Sequence, residues 1–317
     1  MASVAKFDTW QSSDGTNVAR FSGGELQVWN GSAWGPAGTP WATIDETPTG
    51  TYNDGTFDWN YWIYKSNGTL TVTQGGLVEY LVVAGGASGA VSNTANDVGA
   101  GGGGGVLESC DGGTIDAGSY AITIGAGGAT NSGTERAGNN GSNSSIGSLA
   151  IAIGGGAGQY RLTAGNSGGC GGGAGDAYTG TYQSFPGDPT LGQGFRGGGG
   201  RSTGGGAGGG AGGPGAHGST TANGGVGRTT TIITTTIATA ESVGEVSGGL
   251  LYFAGGGGSS PGSLGGLGGG QPGAPIDQRG TNAPANTGGG TGNADVNQGA
   301  PYAGVGGSGV VIVRTKA

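Results

Sequence analysis

Charge is scarce in this chain. Only 9% of residues are charged, where roughly 25% is usual for a soluble domain. The three lysines and eight arginines stand singly, so no basic stretch is available to neutralise a phosphate backbone. With a net charge of −8, nucleic acid is an unfavourable partner. Long apolar runs are missing too. None approaches the roughly 20 residues of a membrane helix, which argues against membrane insertion. Residues 1–6, Met-Ala-Ser-Val-Ala-Lys, lack the apolar core of a secretory signal.

Other absences remove whole chemistries. His217 is the single histidine, in the loop Gly-Pro-Gly-Ala-His-Gly-Ser, which excludes a histidine metal cluster and leaves a Ser-His-Asp triad with nothing to position it. Cys110 and Cys170 have no metal-ligand spacing. They read as two buried free thiols, with a disulfide between them as the alternative. None of Lys6, Lys65 and Lys316 follows a glycine run, so there is no phosphate-binding Gly-Lys-Ser/Thr loop. A dinucleotide fingerprint needs a helix after its glycines and an acid about 20 residues on, and no such unit is found. Asp176 and Asp188 are the one pair of carboxylates that invites a glycosidase reading; in Gly/Pro turns they read better as solvated loop acids. The expectation is a non-enzymatic chain without metal or cofactor.

What the chain does have is glycine, 86 residues of 317. Nine lie in residues 1–74 and 77 beyond, while all six tryptophans lie in the first 62 residues. The composition breaks at Gln74-Gly75-Gly76. Glycine is the costliest residue to order and has no side chain to bury. Leu, Ile, Val and Phe number only 49, few enough to suggest disorder, but the low net charge does not fit a disordered tail.

The apolar residues are clustered instead. Tyr80-Leu81-Val82-Val83-Ala84, Tyr120-Ala121-Ile122-Thr123-Ile124, Leu149-Ala150-Ile151-Ala152-Ile153 and Leu250-Leu251-Tyr252-Phe253-Ala254 each run into glycines, and Val310-Val311-Ile312-Val313-Arg314 lies near the end. Runs of this length and type read as buried strands. Glycine does not recur at every third position, so collagen is excluded. The remaining arrangement is a bundle of nine or ten extended, threefold polyglycine II segments. That helix makes no internal hydrogen bonds, so its backbone groups must pair between segments, at a distance only glycine permits. Residues 229–246 are ambiguous between strand and helix, with a short helix near 237–242 slightly favoured.

The first 74 residues read as small β structure. Asn30-Gly31 between Trp29 and Trp34, and Asn67-Gly68 between residues 61 and 72, predict two hairpins. The fold class expected is mostly β and irregular: polyglycine II helices flanked by short strands, with a small N-terminal β region. We divide the chain into an N-terminal region, 1–50, and a glycine-rich domain, 51–317.

The links between glycine runs carry aromatic and guanidinium groups that a solvated connector does not need. Tyr160, Arg161, Tyr178, Tyr182, Phe185, Phe195, Arg196, Arg279 and Tyr302 are the candidate recognition residues, with packing of some rings against the bundle as the alternative. Arg136 and Arg201 lie in or beside the same links. A rigid core presenting irregular loops is a common binding layout.

Tyr80-Leu81-Val82-Val83-Ala84-Gly85-Gly86, then 101–105 with Val106-Leu107, then Ile122-Thr123-Ile124-Gly125-Ala126-Gly127-Gly128 resemble the glycine-rich domain of bacteriophage tail-fibre and adhesin proteins. Gly141-Ser142-Asn143-Ser144-Ser145-Ile146, Ala254 with 255–258, Asn286-Thr287-Gly288-Gly289-Gly290 and Gly306-Gly307-Ser308-Gly309-Val310 follow in that family's order, over about residues 50–317. The Trp29–Trp34 stretch looks like short modules near the start of phage structural proteins. The resemblance implies a layered polyglycine sandwich displaying receptor-binding loops at the tip of a virion assembled in the host cytoplasm, and no catalytic residue. The implied partners are other virion proteins, docked through Trp10, Trp29, Trp34 and Trp41, and a host-surface glycan or outer-membrane protein. Trimeric assembly follows by analogy with fibres. The alternatives are a structural head fibre or decoration protein and, more remotely, a glycan hydrolase.

Overall fold

The computed structural model describes residues 10–11, 18–22, 25–29, 34–36, 40–92, 98–130, 135–176, 184–219, 221–275, 278–295 and 302–317. Near the N-terminus, Trp10–Gln11, Val18–Ser22, Glu25–Trp29 and Trp34–Pro36 form an antiparallel meander in chain order. Trp29 pairs with Trp34 across the Asn-Gly connection, which is the first predicted hairpin.

The second predicted hairpin does not form. Asp58–Tyr64 and Gly68–Gln74, on either side of Asn67-Gly68, enter different sheets. One five-stranded antiparallel sheet runs Val106–Ile115, Gly76–Val83, Val310–Lys316, Asp58–Tyr64, Gly50–Asn53. The other runs Ala150–Ala152, Ser144–Ile146, Gly118–Thr123, Gly68–Gln74, Thr43–Ile44. The reason is burial. Val310–Lys316 is buried along nearly its whole length, and a strand buried on both faces needs partners on both edges. Asp58–Tyr64 supplies one of them over six register pairs. Instead of a tight turn, the Asn67 carboxamide oxygen accepts from the Ile124 N–H, 2.8 Å.

The two sheets pack face to face over Trp62, Leu70, Val72, Val82, Ile122 and Val311. On the opposite face of the first sheet, Leu81, Val83 and Ile312 meet Ile232, Leu251 and Phe253. Successive residues of one strand thus enter separate apolar layers, as the period of two requires. The 229–246 ambiguity resolves into both elements. A three-stranded sheet forms from Arg228–Thr230, Leu250–Phe253 and Glu245–Ser247, and the connection between its first and last named strands holds the helix Thr235–Glu241, whose N-cap Thr234 accepts from the Ile237 N–H. The composition break at 74–76 falls where the chain leaves the second sheet for the first.

From these strands the chain passes into glycine segments that are neither helix nor strand. Their backbone hydrogen bonds follow a strict order. Along 99–105, the N–H groups donate in turn to Gln159, Gly206, Thr291, Gly156, Gly209, Gly288 and Ile153. Every third residue thus returns to the same neighbouring segment. The carbonyls of Gly99, Ala100, Gly101, Gly102 and Gly103 accept from Ala90, Gly173, Gly257, Ala87 and Cys170, which lie on three further segments. Segment 98–105 is therefore enclosed by six others. Segment 204–211 repeats the pattern, donating from Gly206 onward to Ala174, Ala216, Gly257, Gly171, Gly213 and Ala254. Segment 84–90 is enclosed in the same way.

Tracing the bonds outward gives a hexagonal array in three rows. Segments 137–143, 153–159, 168–175 and 195–200 form one outer row. Segments 124–130, 84–90, 98–105, 204–211 and 212–218 form the middle row. Segments 303–309, 287–293, 254–259 and 222–227 form the other outer row. The array holds more segments than the nine or ten expected from glycine runs, because stretches such as 84–90 and 303–309 contain alanine and serine.

Candidate functional site

Chain direction gives the array two unlike ends. Segments 84–90, 124–130, 153–159 and 254–259 are entered directly from strands, and 98–105 and 303–309 lead directly into strands. The two five-stranded sheets and the three-stranded sheet therefore gather at one end, and the short parallel pair Val91–Ser92 with Ala294–Asp295 lies at the other. At the other end, Val98 bridges Tyr160, Val91 bridges Arg136, and Leu162 donates its N–H to the Asp176 carbonyl, 2.9 Å. Here lies a cleft of about 550 Å³ lined by Thr130, Glu135, Arg136, Ala137, Gly138, Asn139 and Tyr160.

Each wall of the cleft is held by the array. Arg136 and Val91 exchange backbone hydrogen bonds of 3.0 and 2.9 Å. The Asn139 N–H donates to the Ser88 hydroxyl, 2.8 Å, and its side-chain nitrogen donates to the Ala129 carbonyl, 2.9 Å. The Thr130 hydroxyl donates to the Ala303 carbonyl, 2.5 Å. Glu135 adopts a left-handed backbone, φ 56°, unusual for a side chain with a Cβ, and its carboxylate lies 3.5 Å from the Arg161 guanidinium. Tyr160 is half-buried, whereas Arg136 is exposed. Neither the Tyr160 hydroxyl nor the Arg136 guanidinium has a partner among the described residues.

The candidate residues divide by position. Tyr160 and Arg161 lie in and beside the cleft. Arg279 stands 4.5 Å over the Tyr302 ring, and Tyr302 adjoins Ala303, the Thr130 partner, so this pair lies at the same end. Phe185 is 76% exposed on the outer side of the 168–175 row, where its carbonyl accepts from Gly165. Phe195 and Arg196 sit apart. Their carbonyls accept from Gly171 and Gly215, and Gly171 is two residues from Gly169, which abuts Gly105 and Ile153 beside the sheets. Tyr178 and Tyr182 lie outside the described residues.

Of the tryptophans, Trp10, Trp29 and Trp34 are in meander strands. Trp41 is half-buried, packs edge-on to Trp59 at 5.2 Å, and has the Lys316 ammonium 5.4 Å from its ring centre. Thr130, Glu135 and Asn139 escaped sequence reasoning. Nothing in their local sequence separates them from other polar linkers; only the pairing of distant segments brings them to one cleft.

Other candidate chemistries separate in space. Asp188 lies level with Gly168, whose N–H donates to its carbonyl. Asp176 is eight residues further along that segment, so at roughly 3 Å per extended residue the two acids are about 25 Å apart, too far for paired work on one glycosidic bond. His217 accepts the Gly199 N–H at Nδ1, 2.9 Å. Both cysteines are free thiols; burial pushes Cys170 up to about 12, and burial with the neighbouring Glu108 raises Cys110.

A second cavity of about 470 Å³, at the sheet end, is lined in part by Tyr52, Asp54, Thr230, Thr231 and Arg314. Its charged groups are already committed. Arg314 donates from Nε to Glu79, 2.7 Å, and from Nη1 to the Tyr52 hydroxyl and the Ile232 carbonyl, while Nη2 lies 2.5 Å from Glu79. Burial lowers the tendency of Arg314 to hold its proton, but Glu79 and Tyr52 outweigh that and keep it above its ordinary value. The Asp54 carboxylate accepts from the N–H groups of Thr56 and Phe57 and from the Trp59 indole. The far cleft is thus the better-furnished candidate for a ligand.

A comparison with curated proteins finds no match to the chain. Residues 65–316, spanning the sheets, the array and the cleft, match the family model described as a glycine-rich domain, and the chain belongs to that family.

Proposed function

We propose that this is a bacteriophage virion protein, a tail fibre or tail-tip adhesin, that displays recognition loops to the host surface. One observation carries the reading: the array separates the strand-rich end, which holds residues 40–83 and the C-terminal strand, from an end built mostly of irregular links and furnished with Tyr160, Arg161, Arg136, Arg279 and Tyr302. A receptor-binding tip on a rigid stalk needs that separation. In this reading the N-terminal region attaches the chain to other virion proteins, and a homo-oligomer, by analogy a trimer, places several tips together. The array segments are polyglycine II helices, a conformation supported by the threefold return of their hydrogen bonds. The side chains in the cleft suit binding rather than cleavage, since Glu135 is the one carboxylate among its lining residues and hydrolysis of a glycosidic bond ordinarily uses two.

The test is adsorption of the purified full chain to a panel of bacterial cells, with particle imaging to locate it on the virion. The reading expects saturable binding to the host and a position at the tail tip. No adsorption, together with a position on the capsid, would replace it with the head-fibre alternative.

A further inference from the structure

We propose that the cleft between Thr130, Glu135–Asn139 and Tyr160 takes a sugar bearing an oxyanion, a carboxylate or a phosphate, with Arg136 as its charge partner and the Tyr160 ring as its platform. The proposal rests on the receptor-display reading and names the ligand chemistry of that site.

The groups of the cleft carry the assignment. Arg136 is exposed at the rim with its guanidinium unpartnered among the described residues, while its backbone is fixed by two hydrogen bonds to Val91. A positioned guanidinium offers a planar fork of donors, matched to carboxylate or phosphate oxygens. The single lining carboxylate, Glu135, is held toward Arg161 at 3.5 Å, so an incoming anion meets a compensated acid. Tyr160 presents a half-buried ring with a hydroxyl unpartnered among the described residues, the combination that stacks on a sugar face and bonds its rim. A volume of about 550 Å³ lies within the ordinary range for small-molecule sites.

The charge distribution of the whole chain points the same way. Four of the eight arginines, Arg136, Arg161, Arg201 and Arg279, lie toward the end away from the large sheets. Acids such as Asp45, Glu46, Asp58, Glu79, Glu108 and Asp116 concentrate within or beside them. On a chain of net charge −8, an anionic ligand is repelled from the sheet end and meets its cations at the far end.

The test uses the full chain on arrayed oligosaccharides: uronate-containing, phosphorylated, and the neutral parent of each, made by carboxyl reduction or phosphatase treatment. The expected result is binding to an anionic set, with loss of roughly tenfold or more on its neutral parent and in R136A, as for one charge-assisted contact. R136K retains part of the binding, and the R136A melting temperature is unchanged. Whichever anionic set binds identifies carboxylate or phosphate. Equal binding to neutral parents, or full binding by R136A, overturns the anion assignment and leaves receptor display standing. Adsorption to bacteria without binding to either anionic set overturns the sugar assignment alone. Absence of binding to arrays and to cells overturns both readings.

Discussion

Glycine at an enclosed position is required by what its missing Cβ would strike. A Cβ on Gly208 would lie 1.9 Å from the Gly101 carbonyl oxygen and 2.5 Å from its carbon. Both atoms are backbone, fixed by the array, so no side-chain rotation relieves the clash. At Gly213, on the edge segment, the nearest atom is the Val226 Cγ1 at 3.1 Å, the end of a side chain. Gly208→Ala is therefore expected to destabilise by about 1–3 kcal/mol or more, and Gly213→Ala by much less. Thermal or denaturant unfolding of the two variants measures the difference, and equal losses would contradict the array described above. Alanine is nevertheless accepted at enclosed positions such as Ala87, Ala100 and Ala207, where the Cβ finds space. The sequence shows that such places exist but not the reason for each, because the clashing atom is about a hundred residues away.

At the scale of elements, the C-terminal strand Val310–Lys316 is the structural keystone of the first sheet. It pairs with Gly76–Val83 on one side and Asp58–Tyr64 on the other, and its Arg314 reaches Glu79, which is wholly buried. The Arg314 guanidinium also stacks 4.0 Å over the Trp59 ring. Arg314→Ala would leave the buried Glu79 carboxylate without its guanidinium partner, and removing one member of a buried pair typically costs about 3–5 kcal/mol. Adding Glu79→Gln to that variant should recover part of the loss, since an amide carries no charge to bury. Urea unfolding of the single and double variants checks this, and failure of the second change to recover stability would argue against charge burial as the cause. The strands were legible as β-branched runs entering glycine. Their partners were not: Asn67-Gly68 has the local chemistry of a hairpin turn, but the demand of a strand buried on both faces outweighs it.

For the molecule as a whole, stability comes from two cores of different kinds. Side chains make one between the sheets, and backbone hydrogen bonds make the other between glycine segments, where each ordered residue must recover its entropy through pairing. Enclosure predicts a gradient of protection. Amides in 84–90, 98–105 and 204–211, each surrounded by six segments, should exchange hydrogen most slowly in the array, and those of the edge segment 212–218 faster. Hydrogen-exchange mass spectrometry reads this directly, and uniform exchange across the rows would contradict a cooperative array. The same architecture explains why only part of the cleft was foreseen. Tyr160 and Arg161 stood out as an aromatic and a cation in a polar link. Glu135, Asn139 and Thr130 gained significance only through the bridges Val98–Tyr160 and Val91–Arg136.

The materials of this fold are readable from the order of residues alone: short apolar strands, glycine stretches with too little charge for a disordered tail, and polar links carrying rings and guanidiniums. Composition and local periodicity suffice for that, because each is a property of neighbouring residues. Which strands share a sheet, how the segments stack in rows, and which links meet at one end emerge in three dimensions alone. Those choices rest on hydrogen bonds and close backbone approaches between residues far apart in the chain, and in a glycine segment every residue offers the same backbone groups, so no local signal distinguishes one partner from another.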